Sequence, residues 1–174
     1  MGEVGLRTWS VDDAEWYVGQ VSDPDIQRFT TERDDLTVEE FRDALLRLEE
    51  RADQAGFVAV DLGTGERLAN IAADRQGATA ALSYWVAAEG RGRGVATDAL
   101  RLMSAWAVAH WEVEELRLWA HVDNVGSQKV AVKAGYEYLP GCDEVKVVRG
   151  EERPGRWYRS GGASSRGSGS GGAR

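Results

Sequence analysis

The sequence predicts one mixed α/β (α+β) domain, built on a central, mostly antiparallel sheet flanked by helices. Extended runs joined by Gly-rich turns occupy residues 57–86, the pattern of an antiparallel meander. A Gly/Arg turn at residues 90–94 then switches the apolar spacing from a period of two to a helical period. The length, 174 residues with 43% apolar side chains, suits a single core.

The elements follow in order. Leu6–Trp9 reads as a short opening strand. Ser10 ahead of Val11-Asp12-Asp13 reads as a helix cap, with acidic residues at the positive end of the helix dipole. Thr37 and Glu40 form a capping box for a second helix. Val38, Phe41, Leu45, Leu48 and Ala52 follow at helical spacing, and Gly56 is its expected close. Phe57–Val60 and Arg67–Ala73, joined by Asp61-Leu62-Gly63-Thr64-Gly65, make a hairpin. Ala80–Val86 follows the turn at Gln76-Gly77 as a third strand. Ala96, Ala99, Leu100, Met103, Ala107 and His110 share one helical face. Leu116–Val122 alternates as a strand, and Asn124–Ala134 is a short helix with Gly135 as its left-handed cap. Tyr136–Leu139, Glu144–Arg149 and Arg156–Tyr158 are the remaining strands. From Ser160 the chain reads SGGASSRGSGSGGAR, too poor in apolar side chains to offset the entropy of ordering. The folded domain is therefore set at residues 4–159, and residues 160–174 are expected to be a disordered Gly/Ser-rich tail.

Composition excludes several function classes. With one cysteine, Cys142, neither an intrachain disulfide nor a thiol metal cluster can form, and no metal site is expected. Only His110 and His121 could partner a nucleophile. The net charge of −8 argues against nucleic-acid binding, which needs a basic face, and suits attraction of a cationic substrate. No apolar run approaches the length of a membrane span. The first residues, MGEVGLRTWSVDD, carry acids where a signal peptide has basic and apolar regions, so a cytoplasmic location is expected.

The chemistry concentrates in residues 83–97, where a strand feeds a Gly-rich turn that opens an amphipathic helix. Such a turn presents several backbone N–H groups at the positive end of a helix. Glycine lets an anion approach the main chain, and Arg91 and Arg93 add cationic side chains. The expected occupant is a phosphate or pyrophosphate. A P-loop would end in Gly-Lys-Ser/Thr, whereas this turn ends in Gly94-Val95-Ala96-Thr97. The dinucleotide fingerprint fails because Gly90 and Gly92 are followed by Val95, and because a meander precedes the turn. Taken alone, Arg-Gly-Arg-Gly would be an ordinary surface turn with solvated arginines.

The turn is not alone. Arg91-x-x-Gly94-x-Ala96 resembles the acetyl-CoA pyrophosphate motif of the GNAT superfamily of N-acetyltransferases. Asn124-Val125-Gly126-Ser127, leading a short helix that ends in Lys133-Ala134-Gly135-Tyr136, resembles that superfamily's second motif. Asp12-Asp13-Ala14-Glu15 and Ser22-Asp23-Pro24-Asp25-Ile26 are similar to its RimJ/RimL branch, the ribosomal-protein-type acetyltransferases. The resemblance implies the GNAT fold: six to seven strands, about four flanking helices, and a split where the strand ending near Val86 diverges from that starting near Leu116. It implies acetyl-CoA as co-substrate. Backbone groups of Tyr84, Trp85 and Val86 would meet the pantetheine arm. Amides of Arg91, Gly92, Arg93, Gly94, Val95, Ala96 and Thr97 would hold the pyrophosphate. Asn124 would bind the arm and Ser127 would face the thioester sulfur. Without the flanking motif, Asn124 would read as a helix cap and Ser127 as a first-turn hydroxyl.

The implied reaction is direct attack by a primary amine, from a protein N-terminus or a small molecule, within a ternary complex. A backbone N–H near Val86 would stabilise the oxyanion and Ser127 would return a proton to the thiolate, so no covalent acyl-enzyme is needed. The chain would act as a monomer or homodimer. The general base is not evident, since Ala80–Ala87 carries no carboxylate; Asp74, Glu89, Asp123 and His121 are the candidates. Trp85, on the cleft strand, is expected to line the acceptor pocket. The stretch FTTERDD at 29–35 falls where this branch builds part of its acceptor wall; its acids would suit an amine-bearing substrate, and otherwise read as an exposed acidic loop. Two other readings are a non-catalytic acyl-CoA sensor or scaffold and a nucleotide-binding regulator.

Overall fold

In the computed structural model, which describes residues 2–161, the chain opens with strand β1 (Val4–Thr8). Ser10 caps a 3-10 turn, Val11–Asp13, that runs into α1 (Ala14–Val21), and the Asp13 carboxylate accepts the Ser10 N–H at 2.9 Å. Helix α2 (Pro24–Phe29) starts where the Asp23 side chain accepts the N–H groups of Asp25 and Ile26, with Pro24 fixing the first turn. The capping box of Thr37 and Glu40 opens α3 (Val38–Glu49). That helix stops at Glu49, short of Gly56. Gly56 lies inside β2 (Gln54–Asp61), where a Cβ would come within 3.2 Å of Leu48 Cδ2, so its smallness seats α3 on the sheet and caps nothing.

Strands β3 (Arg67–Gln76) and β4 (Thr79–Val86) complete the meander with β1 and β2, each antiparallel to its neighbour. Helix α4 (Val95–Trp111) is the crossover that lets β5 (Glu115–His121) lie parallel to β4. Then come α5 (Val125–Lys133), β6 (Glu137–Tyr138), β7 (Glu144–Val148) and β8 (Glu151–Gly161). The strand order is β1-β2-β3-β4-β5-β8-β6, with β7 paired to β8. Gly135 takes the left-handed conformation expected of it, with φ +92°.

Among the described residues the sheet has eight strands and five α-helices flank it, against an expectation of six to seven and about four. The largest difference is β8. It is 11 residues long, where the sequence pattern marked only Arg156–Tyr158. Its Ser160 and Gly161 pair with Leu116 and Glu115, so the sheet passes the expected domain edge at 159. The rest of the expected Gly/Ser tail, residues 162–174, lies outside the described residues.

Alternation along the strands divides the core in two. Leu82, Leu118 and Ala120 face α4 and pack with Leu100 and Met103, both fully buried. Trp85 faces the other way and packs among Ala14, Tyr17, Val21, Ile26, Phe41 and Leu45 of α1–α3. Both faces of β4 are thus covered, yet its far end is not paired to β5. The parallel register covers only Thr79–Leu82 against Glu115–Leu118, while β5 continues along β8 as far as His121. Ser83–Val86 and Trp119–His121 therefore part company, which is the expected split. Among the described residues, no helix is long and apolar enough to cross a membrane.

Candidate functional site

Where β4 and β5 separate, a cleft of about 820 Å³ opens between them. The ladder to β3 decides which β4 backbone groups reach it. Ala87 N–H donates to Leu68 O at 2.9 Å, which makes Ala69 and Val86 a pair without mutual hydrogen bonds. The polar groups of Val86, and by alternation those of Tyr84, therefore point away from β3 and into the gap. Val86 O accepts from Arg91 Nε at 3.2 Å, and Val86 N–H has no acceptor among the described residues. Trp85 departs from expectation. Its backbone belongs to the hydrogen-bonded pair with Asn70, and its side chain is buried on the α1–α3 face. It has no backbone group left for a ligand in the gap.

Past β4 the chain makes a short 3-10 turn, Ala88–Gly90, and then a main-chain nest at the N-terminus of α4. Gly92 and Gly94 have φ of +70° and +81°, with open space where a Cβ would stand. Their requirement is conformational. Gly90 is required for packing, since a Cβ there would meet Leu68 O and Val86 Cγ1, each at 2.9 Å. The N–H groups of Gly92, Arg93, Gly94, Val95 and Ala96 have no acceptor among the described residues. Arg91 and Thr97 differ from the expectation: the Arg91 N–H donates to Ala88 O at 3.3 Å, and the Thr97 N–H donates to Gly94 O at 3.0 Å, inside the first turn of α4.

The two arginine side chains turn aside from the nest. Arg91 pairs with Asp23 at 2.7 Å and Asp25 at 3.1 Å, and its hydrogen bond holds the Asp23 carboxyl below the usual range. Arg93 donates to Glu89 O at 3.0 Å and lies 3.6 Å from Asp61. Both tie the turn to its neighbours, so an anion in the nest meets bare amides and the positive end of α4. Every residue expected at the site lines the cleft except Arg93. Lys129 and Lys133 of α5 line it too and were not in the expected set. Their i, i+4 spacing, which puts both on one helix face, is the signal that would have found them.

Across the gap, Asn124 Oδ1 accepts the Ser127 N–H at 2.9 Å and so caps α5. Ser127 Oγ lies 2.9 Å from the Tyr84 hydroxyl. Burial pushes the Tyr84 phenol up to about 12, with the bond to Ser127 offsetting part of the rise. The Tyr84 side chain is therefore part of the site along with its backbone. Of the four candidate bases, Glu89 and Asp123 do not line the cleft, whereas Asp74 and His121 do. His121 Nδ1 accepts the Asp123 N–H at 3.0 Å, so the neutral ring carries its proton on Nε2 and offers the cleft a donor. A further carboxylate lines the cleft from the loop after α2. Glu32 Oε1 accepts from Tyr17 Oη at 2.6 Å and from Trp85 Nε1 at 3.1 Å. Burial, and then the charge of Glu32, push the Tyr17 phenol far above its usual value.

A family model described as an acetyltransferase (GNAT) domain matches residues 3–137. No curated protein sequence matches the chain. Among solved structures, the chain is similar to ribosomal-protein-S5-alanine acetyltransferase from Vibrio fischeri, with TM-score 0.82 at 14% identity over 94% of this chain and 96% of that one. It is similar to Mycobacterium smegmatis RimJ in complex with CoA-disulfide, with TM-score 0.79 at 19% identity over 96% and 86%. It also resembles spermidine N-acetyltransferase from Vibrio cholerae in complex with CoA and spermine, with TM-score 0.79 at 13% identity over 90% and 94%. At these identities the likeness establishes the fold.

Proposed function

The chain belongs to the GNAT acetyltransferase family, and from that premise we propose that it is an acetyl-CoA-dependent N-acetyltransferase of the RimJ/RimL-like branch, acting on a primary amine. The observation that carries this is the run of unpaired amides from Gly92 to Ala96, set just beyond a strand whose Val86 N–H faces a split sheet. The residues fit the donor. The amides and the α4 N-terminus suit a diphosphate, with Lys129 and Lys133 beside it. The backbone groups of Tyr84 and the N–H of Val86, which face the gap, suit an amide-bearing arm that adds to the sheet as a strand would.

Acetyl-CoA supplies the acyl group as a thioester. Val86 N–H, fixed by the β3 ladder, donates to the carbonyl oxygen as charge develops there during amine attack. Ser127 Oγ gives a proton to the thiolate as the C–S bond breaks, and Tyr84 behind it makes good that proton; the proton shed by the amine nitrogen as the C–N bond forms passes through solvent and restores Tyr84. Attack is direct, so no nucleophilic side chain is consumed.

The test is thermal stabilisation by acetyl-CoA compared with ATP and NAD, followed by release of free CoA across a panel of amines. Acetyl-CoA at 100 times its dissociation constant should stabilise the fold by about 2.7 kcal/mol. Equal stabilisation by ATP would reduce the nest to a generic phosphate site. A selective shift without acetyl transfer to any amine would turn the reading to an acyl-CoA sensor.

A further inference from the structure

We propose that Glu32 selects the acceptor: its carboxylate receives the positively charged group of a cationic alkyl amine at the point where the donor cleft meets a second cavity. The proposal rests on the acetyltransferase reading above. The second cavity, of about 600 Å³, lies between α3 and the β2–β4 face, and Glu32, Asn70, Asp74 and Ser83 line both spaces. That junction sits on the face of β4 opposite Tyr84 and Ser127. A ternary complex needs such an arrangement, because donor and acceptor must reach one carbonyl from different sides.

Glu32 is built into place. Its Oε1 takes two hydrogen bonds from Tyr17 and Trp85, whose side chains are buried. Its backbone is held as well: Gln27 Nε2 and Arg149 Nη2 donate to its carbonyl at 3.1 and 2.9 Å, and its N–H donates to Thr30 Oγ1 at 3.2 Å. Oε2 has no partner among the described residues, and no lysine or arginine there forms an ion pair with the carboxylate. Arg149 is spent on carbonyl oxygens and on Gln27. An oriented, half-buried carboxylate with neutral donors on one oxygen and nothing on the other lacks its counter-ion. Asp74, also without an ion pair among the described residues, adds charge of the same sign at the junction. The cation that complements them has to arrive with the substrate. Trp85 links the two halves of the site, since its indole holds Glu32 and the next residue, Val86, offers its N–H to the gap.

Glu32→Gln keeps an oxygen for Tyr17 and Trp85 and removes the charge. With alkyl mono- and diamines and short peptides with free N-termini as acceptors, the variant should raise the acceptor KM about 10- to 100-fold. Its KM for acetyl-CoA and its thermal shift with acetyl-CoA should stay within about twofold of the wild type, which also reports that the variant is folded. In the wild type, the acceptor KM should rise with ionic strength as the pairing is screened. An unchanged acceptor KM in Glu32→Gln overturns the proposal, and so does an acceptor KM insensitive to salt. Failure of the acetyltransferase reading looks different: the wild type itself would release no CoA with any amine.

Discussion

A hydroxyl can protonate a departing thiolate only if its own proton stays in place until needed. Burial gives the Tyr84 phenol that property by pushing it up to about 12, and Ser127, 2.9 Å away, faces the gap with that donor behind it. Ser127→Ala should therefore lower kcat by about 100-fold with little change in the KM for acetyl-CoA, whereas Tyr84→Phe should lower it by about 10-fold. The sign of the pH dependence follows. A raised phenol stays protonated below its pKa and loses its proton only as pH climbs through about 12, so this pair should contribute no fall in kcat between pH 6 and 10. A fall centred near pH 8 that disappears in Tyr84→Phe would contradict the relay. Ser127 was legible in the sequence because its motif is local. The Tyr84 side chain was not, because its partner is 43 residues away and meets it only across the split. For the same reason Glu32 could be placed only within the acidic stretch 29–35 expected at the acceptor wall, and not singled out from it. In sequence it is one acid in a polar stretch, and only the convergence of Tyr17 and Trp85 gives it an orientation.

At the level of elements, the glycines of the α4 nest separate two physical roles. Gly94 has a left-handed φ and open surroundings, so a side chain there fits sterically but costs about 1–2 kcal/mol in backbone strain. Gly94→Glu should leave a folded protein whose thermal shift with acetyl-CoA is abolished, because its carboxylate occupies the anion space. Gly90 has an ordinary φ but no room. Gly90→Ala should lower the stability of the ligand-free protein by about 1–3 kcal/mol while only weakening the shift. An intact shift in Gly94→Glu would mean that the donor diphosphate binds elsewhere. The same contrast explains which elements could be read in advance. The capping boxes of Ser10 with Asp13 and Thr37 with Glu40 are complete within four residues, so local sequence displays them. Strand β8 depends on distant partners. Pro154 and Gly155 break its pattern, yet Val122 N–H donates to Pro154 O at 3.0 Å, and the Trp119 indole lies where a Gly155 Cβ would be, 2.1 Å from that position. Nothing near β8 in sequence announces either contact.

Across the whole molecule, the cleft exists because the two halves of the sheet are held independently at the point where they part. The β1–β4 half is fastened to its helical layer by Asp13, which is 1% exposed and joins Arg7 of β1 to Arg67 of β3. The sequence placed Asp13 in a helix's first turn, which is correct. It could not show that the carboxylate would also face two strands, reaching Arg67 54 residues further along the chain. Burial alone would raise the Asp13 carboxyl, but the Arg7 hydrogen bonds, the Ser10 N–H and Arg67 together outweigh it and hold the group far below the usual range. The folded pKa is thus lower than the unfolded one, near 3.9. The stability this group contributes is fully present above about pH 4 and is lost as pH falls towards the folded value. Asp13→Asn should cost about 2–3 kcal/mol at pH 7, less than the loss from a fully buried pair, because the side chains of Arg7 and Arg67 stay 40% and 35% exposed and can be rehydrated. Calorimetric melting of the two proteins from pH 7 down to pH 3 checks the assignment. The gap in Tm should narrow on the acid side, as the wild type gives up the charge that the variant lacks. A constant gap would mean that Asp13 acts through shape alone, and the fastening of the sheet would then have to be sought in its apolar layers.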